Sequence, residues 1–212
     1  MPILGYILTA LAAYLLGSIP FGFLTAKAKG IDIRAVGSGN IGATNAMRVL
    51  GKPAGIFVLL MDVLKGYAAA KWLCVGLLKL FDVPGAEMET CQIVAGIFAV
   101  LGHNYTCWLK FKGGKGIATT AGVYLALAPW PLLIALAVFI LALLLTRYVS
   151  VASISAAVAL PAAVWILPPH NLLLGIVTTA LGALAIYKHK SNIQRLMAGT
   201  ENRIGKNTED KK

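Results

Sequence analysis

Charge is what this chain has least of. Only 13% of its 212 residues are Asp, Glu, Lys or Arg, 58% are hydrophobic, and the mean hydropathy is +0.79. Soluble domains carry about 25% charge against about 45–50% apolar residues, so a water-soluble chain this poor in charge could not cover its own surface. Acidic residues are scarcest, 8 against 19 basic. Cysteine is rare too. Cys74, Cys91 and Cys107 are odd in number and show no C-x-x-C spacing, so they read as buried or lipid-facing thiols rather than disulfide or zinc partners. No basic residue precedes the first apolar run, and a cleavable signal peptide is not expected. No metal-ligand cluster is visible, and neither a metal nor a cofactor is expected.

Long apolar runs fill the space that charge leaves. They fall near residues 3–26, from 53 toward Trp72 and beyond, and near 90–102, 117–128, 132–146, 150–167 and 172–187. Runs of roughly 18 apolar residues read as membrane spans. The expected fold class is therefore all-α: a polytopic membrane protein of about seven transmembrane helices. Pro20 should kink or end the first run, Pro53 should open the second, and the "PWP" at residues 129–131 should punctuate the chain. The run at 117–128 is short for a full crossing. One transmembrane domain over residues 1–203 and a disordered basic and polar tail over 204–212 are expected, with no internal repeat.

Net charge is +11, which in a soluble protein would point to nucleic acid. In a membrane protein, basic residues first mark cytoplasmic loops. Residues 27–52, residues 110–115, Arg147 and the segment from Lys188 onward together hold 16 of the 19 basic residues. An acidic loop near Asp82, Glu87 and Glu89 and a Pro168-Pro169 turn fall on the other side. This pattern puts the amino terminus outside and the carboxyl terminus in the cytoplasm, and no nucleic-acid partner is expected.

Two polar, glycine-rich stretches share that cytoplasmic side. The first, "VGSGNIGATN" at residues 36–45, fits G-x-G-x-x-G, and Asp62 follows its last glycine by twenty residues, as a dinucleotide fingerprint requires. The context is wrong for that reading. An apolar span and a polar connector precede the glycines, and Asp62 sits inside the apolar run "GIFVLLMDVLKGY". Glycines also let consecutive backbone N–H groups point into an anion-binding nest. Gly37, Gly39 and Gly42 offer such a backbone, Ser38, Asn40, Thr44 and Asn45 add side-chain donors, and Arg48 follows. The second stretch, "KFKGGKG", sets Lys112 and Lys115 around Gly113 and Gly114. It is not a Walker A loop, because Gly116 stands where Ser or Thr must be. Near the end of the last span, His189 and Asn192 lie three apart, as on one helical face. These segments converge in type on one ligand class: phosphate. Basic residues at span ends also snorkel to lipid head groups, and glycines also serve helix packing, so the combination carries the reading. Asp62 and Lys65, i,i+3 neighbours in a span, read as a structural ion pair.

These motifs resemble the acyl-phosphate-dependent glycerol-3-phosphate acyltransferases of bacteria, an integral membrane family. The resemblance rests on "GSIPFG" with "DIRAVGSGNIGATNAMR", on Gly102-His103 with "FKGGKGIAT", and on "RYVS" with "HKSNIQRLMAGTE", in family order over nearly the whole chain. Thr106 departs from the proline common there, which bears on local backbone shape. The resemblance implies transfer of a fatty acyl group from acyl phosphate to the 1-hydroxyl of glycerol 3-phosphate, giving lysophosphatidic acid and inorganic phosphate, the first acylation of phospholipid synthesis. It implies a bacterial inner-membrane protein with its site facing the cytoplasm, in contact with membrane lipid; a monomer is expected. Arg48, Lys115, His189 and Asn192 would hold glycerol 3-phosphate, and Ser38 with the backbone of residues 37–42 would meet the acyl phosphate. Ser150 would be a further phosphate or hydroxyl contact. Ser38, His189 and Asn192 are the expected catalytic residues.

Acyl phosphate is already activated. The chain has no G-x-S-x-G elbow, and Trp108 and Gln194 stand where an H-x-x-x-x-D pair would need Asp, so direct attack by the substrate hydroxyl is the economical mechanism. The proton could go to His189, with an ordinary pKa near 6.5, or to a substrate phosphate, whose second pKa is near 6. The resemblance favours the phosphate. A transporter of an organic phosphate is the rival class. It should place polar residues on both sides of the midplane, whereas here they crowd one face.

Overall fold

The computed structural model describes residues 3–81, 87–169 and 171–205, and among them all regular structure is helical. Part of the expected acidic loop, residues 82–86, lies outside the described residues, as do residues 206–212 of the expected tail. The chain forms two compact units, residues 1–129 and 130–212.

In the first unit, α1 (Ile3–Ser18) breaks at Ile19-Pro20 and resumes as α2 (Phe21–Lys27). Proline has no N–H and clashes with the preceding turn, so the break falls where the sequence placed it. Helix α3 (Ala43–Leu50) follows a long connector. Helix α4 (Lys52–Ala68) has Pro53 in its first turn and runs through a π-helical turn (Ala69–Leu73) into α5 (Cys74–Leu80), continuing beyond Trp72 as expected. Then come α6 (Met88–Asn104), a 3₁₀ turn (Cys107–Leu109) and α7 (Ile117–Leu127).

Helix α1 packs on α6 and α4 on α7, and reciprocal glycines explain how closely. A Cβ on Gly17 would collide with the Ala99 backbone, and one on Gly102 with the Tyr14 carbonyl. Gly66 lies against the Thr119 carbonyl and Gly122 against that of Val63. Lipid removes the hydrophobic drive between helices, so backbone approach through small residues supplies the contact. The Thr106 hydroxyl donates to the Ser18 carbonyl at 2.6 Å, tying the end of α1 to the turn after α6.

In the second unit, α8 (Pro129–Thr146), α9 (Val149–Ile166) and α10 (Leu172–Lys188) are followed by α11 (Lys190–Met197), which bends away from α10 by 52°. Helix α9 packs on α10. The PWP segment punctuates the chain as expected: α7 ends at Leu127, and Pro129 and Pro131 occupy the first turn of α8, where the missing N–H costs nothing. Pro161 lies inside α9. Helix α8 is apolar on every side and largely exposed, with Leu133, Leu141, Leu144 and Leu145 all more than half uncovered, as a lipid-facing helix must be. By length and composition four segments can cross a membrane, Ile3–Lys27, Lys52–Leu80, Pro129–Thr146 and Val149–Ile166, and a fifth does so if bent α10 and α11 count as one.

Candidate active site

The connector between α2 and α3 is built from its two ends inward. Gly30, at φ +72°, closes α2: its N–H donates to the Lys27 carbonyl and that of Ile31 to the Ala26 carbonyl. Ile33 and Ile41 then plunge into a core with Ala26, Ala46, Val58 and Leu109. The tip between them, carrying Gly37, Ser38 and Gly39, is left exposed. One side chain holds that tip together. Asn45 is 1% exposed, its Oδ1 accepts from the Ser38 N–H at 2.9 Å, and its Nδ2 faces the carbonyls of Asn40, Val36 and Ile33 at 2.9, 3.1 and 3.3 Å. Gly37 and Gly39 adopt φ of +62° and +69°, and a Cβ on Gly37 would strike the Asn45 carboxamide.

This geometry refines the expected nest. The N–H groups of Ser38, Gly39 and Gly42 are taken up within the loop, by Asn45 Oδ1, the Val36 carbonyl and Asn40 Oδ1 respectively. Asn40 and Asn45 therefore organise the loop with their side chains. The donors left exposed are the side chains of Ser38, Thr44 and Arg48, the last two one turn apart on α3. Asp32 and Arg34 close the outer edge through a bidentate pair at 2.9 and 2.7 Å, and those bonds hold the Asp32 carboxyl at about 2.

The second glycine-rich stretch folds back on the end of α6. Gly113 and Gly114 donate their N–H groups to the carbonyls of Asn104 and His103 at 3.2 and 3.0 Å, satisfying acceptors that a helix end leaves open. A Cβ on Gly114 would overlap the His103 ring, and one on Gly116, at φ +84°, would crowd the Asn104 carboxamide. These glycines serve a close backbone approach, and the cations of the loop are carried by exposed Lys112 and half-buried Lys115. Behind the loop, Asp62 and Lys65 form the expected ion pair at 2.8 Å, and Lys65 also donates to the Ile19 carbonyl at 2.9 Å. Sequence reasoning missed the third partner, His103, whose Nδ1 lies 3.5 Å from the same Asp62 oxygen.

In the second unit, Arg147 turns the corner between α8 and α9 at φ +61°. Ser150 is buried in the first turn of α9. His189 and Asn192 do not share one continuous helical face: His189 ends α10 and starts α11, and its carbonyl receives the Asn192 N–H at 2.8 Å. Both side chains are buried. His189 Nδ1 is 2.8 Å from the Ala185 carbonyl, which can only accept, so Nδ1 donates, and in the neutral ring Nε2 carries the lone pair.

Glu201 is the residue of this unit that sequence reasoning did not single out. Gly199, at φ +68°, ends α11, with the N–H of Gly199 on the Leu196 carbonyl and that of Thr200 on the Arg195 carbonyl. This turn brings Glu201 back under the helix, where it accepts from Asn192 Nδ2 and Arg195 Nε, both at 2.7 Å. Burial pushes the Glu201 carboxyl up, but the hydrogen bonds from Asn192 and Arg195 outweigh it and hold the group below the ordinary range. The Gly-Thr-Glu spacing after a short amphipathic helix was the available signal, a glycine C-cap that returns an acid to the helix end.

The glycerol-3-phosphate acyltransferase family model matches residues 7–199, nearly the whole chain and both groups of residues just described. The chain belongs to that family. Family members from Geotalea daltonii and Geobacter sulfurreducens, both named glycerol-3-phosphate acyltransferase, are 46% and 48% identical over 92% and 93% of this chain and 96% of their own. Two solved structures are similar: crystal structures of PlsY (YgiH), described as an integral membrane glycerol 3-phosphate acyltransferase, in a glycerol 3-phosphate form and in a lysophosphatidic acid form. At 40% identity they cover 94% of this chain and 96% and 95% of theirs, with TM-scores of 0.84 and 0.82.

Proposed function

We propose that this chain transfers a fatty acyl group from an acyl phosphate to the 1-hydroxyl of sn-glycerol 3-phosphate, yielding lysophosphatidic acid and inorganic phosphate. One observation carries the reading: a family relative at 40% identity over 94% of this chain is solved in forms with the acceptor and with the product of that reaction.

In the proposed mechanism, the acceptor hydroxyl attacks the acyl carbonyl, the bond to the phosphate oxygen breaks, and no acyl-enzyme forms. Arg48, Lys112 and Lys115 neutralise phosphate, Arg through a planar fork and Lys as a point charge. Ser38 and Thr44 donate to the acyl-phosphate oxygens. His189 accepts the hydroxyl proton at Nε2, the nitrogen that the Ala185 bond leaves basic. Asn192 and Ser150 contribute to the acceptor site, with Glu201 setting their orientation. No metal or cofactor is needed, because phosphate is already a good leaving group.

Helices α6 and α7 counted with the five candidate segments make seven spans, with the amino terminus outside and the carboxyl terminus in the cytoplasm. Residues 1–203 then act as one acyltransferase domain, as a monomer in the bacterial inner membrane, with chemistry on the cytoplasmic face and residues 204–212 a tail. The bias of basic residues supports this orientation.

The test is acyl transfer by purified protein in detergent, supplied with glycerol 3-phosphate and either palmitoyl phosphate or palmitoyl-CoA. Product from the acyl phosphate alone, lost in Arg48→Ala and His189→Ala, is expected. Activity surviving in His189→Ala would move the base to a substrate phosphate. No product from either donor with folded protein would overturn the reading and favour an organic-phosphate transporter.

A further inference from the structure

The proposed mechanism leaves one buried polar cluster unused. Asp62 and Lys65 on α4 and His103 on α6 are each 5% exposed or less, an arrangement that is costly inside a membrane protein and that an isolated ion pair would not require. The cluster touches both elements that lead to the glycine-rich loops. Lys65 bonds the Ile19 carbonyl, in the break just before α2 and the first loop. His103 is held from two sides: Asp62 lies 3.5 Å from its Nδ1, and Gly114 packs against its Nε2 edge with no room for a methyl group. The carbonyl of the same histidine accepts the Gly114 N–H at 3.0 Å. Ring and backbone of one residue thus meet the same glycine, immediately before Lys115.

We propose that His103, oriented by Asp62, is a positioning residue for the Gly113–Gly116 loop, setting where Lys115 presents its charge to the phosphate of glycerol 3-phosphate. This rests on the reading of Lys115 as a phosphate contact. The chemistry of the cluster fits such a task. A carboxylate 3.5 Å from Nδ1 favours a proton on that nitrogen and draws the ring toward one orientation. A loop held by a ring edge and two backbone hydrogen bonds keeps its lysine within the tolerance that electrostatic stabilisation demands. His103 does not touch substrate in this scheme, so its loss acts on acceptor affinity rather than on the acyl-transfer step.

Steady-state kinetics and calorimetric binding of glycerol 3-phosphate would be measured for His103→Asn, His103→Ala, Gly114→Ala and the double variant His103→Asn/Gly114→Ala. Asn keeps a donor toward Asp62 but removes the far edge of the ring. The expected result is a KM for glycerol 3-phosphate raised at least tenfold in His103→Ala and Gly114→Ala, with kcat within about threefold and the acyl-phosphate KM unchanged. His103→Asn should be milder than His103→Ala, and it should partly restore Gly114→Ala, because the added methyl then has room. Should His103→Ala fail to fold, the Asn and Gly114 variants carry the same comparison. A fall in kcat with unchanged KM, or Gly114→Ala and His103→Asn effects that simply multiply, would overturn the proposal. Absence of turnover in the unsubstituted protein would instead count against the proposed function, and calorimetry would still read the loop.

Discussion

Asn45 offers the sharpest test of how the first loop is built. Replacing it with Ala removes one accepted and at least two donated hydrogen bonds, since its amide nitrogen has two protons for three carbonyls between 2.9 and 3.3 Å. At a net of about 1 kcal/mol for each of three bonds, the loop loses about 3 kcal/mol. Water can reach the freed Ser38 N–H and Val36 carbonyl, both at the exposed tip, which lowers the loss to about 2–3 kcal/mol. At about 1.4 kcal/mol per tenfold, the ratio of ordered to disordered loop should fall by about thirtyfold to about a hundredfold, which sets the upper bound on the loss of kcat/KM. Asn45→Asp is the companion variant. It keeps the acceptor for Ser38 but turns a carboxylate toward three carbonyls, so it should match or exceed the loss in Asn45→Ala. Thermal unfolding is followed with a thiol-reactive dye, for which Cys74 and Cys91, both fully buried, are natural reporters. An organising role lowers Tm together with kcat/KM. A substrate contact alone would lower kcat/KM at constant Tm, and that outcome, or a neutral Asn45→Asp, would refute the reasoning.

Three further outcomes are expected. Thr106→Pro should fold and keep activity, because Thr106 sits at φ −62° and ψ 127°, a conformation proline shares, while losing the bond to Ser18 should cost Tm an amount corresponding to about 1–2 kcal/mol; loss of expression would contradict this. Glu201→Gln should flatten the acid limb of a Tm-against-pH profile. Its carboxyl is held below the ordinary range, so its stabilising contribution is present above the unfolded-state pKa of about 4.3 and fades as pH falls through the folded value; a parallel curve for the variant would count against the Asn192–Arg195 cage. Gly102→Val should abolish folded protein on size exclusion, since its side chain would enter the α1 backbone at Tyr14 and Ser18; a normal monodisperse peak would show that α1 and α6 do not approach as described.

How much of this was legible in the sequence depends on what kind of signal each feature leaves. Apolar runs leave a composition signal, so the helices appear near their expected places, and Pro20 marks a break because its missing N–H acts locally. Pro129 marks the boundary between α7 and α8 as expected, because a residue that cannot continue one helix suits the first turn of the next. The second span continues beyond Trp72 as expected, but the π turn by which α4 passes into α5 leaves no composition signal. The Asp62–Lys65 pair was readable from its i,i+3 spacing. Its link to His103 was not, because Asp62 and His103 lie far apart in the chain and only α4 and α6 bring them together.

The glycines carry the deeper lesson about reading such loops. Gly37 and Gly39 do adopt the positive φ that an anion nest requires, yet Ser38, Gly39 and Gly42 spend their N–H groups on Asn45, Val36 and Asn40. Gly113 and Gly114 likewise spend theirs on the end of α6. A glycine pattern therefore reports that backbone must come close to something, and here that partner is the protein itself. What these glycines achieve is indirect. By letting the loops close on buried Asn45 and on the His103–Asn104 helix end, they leave Arg48 and Lys112 exposed and Lys115 half-buried at the loop surface, with the side chain of Ser38. Substituting a cation should then weaken phosphate binding without unfolding the protein, whereas substituting Gly37 or Gly114 should disturb loop and binding together. That difference in Tm, at similar loss of activity, separates residues that hold the anion from residues that hold the loop.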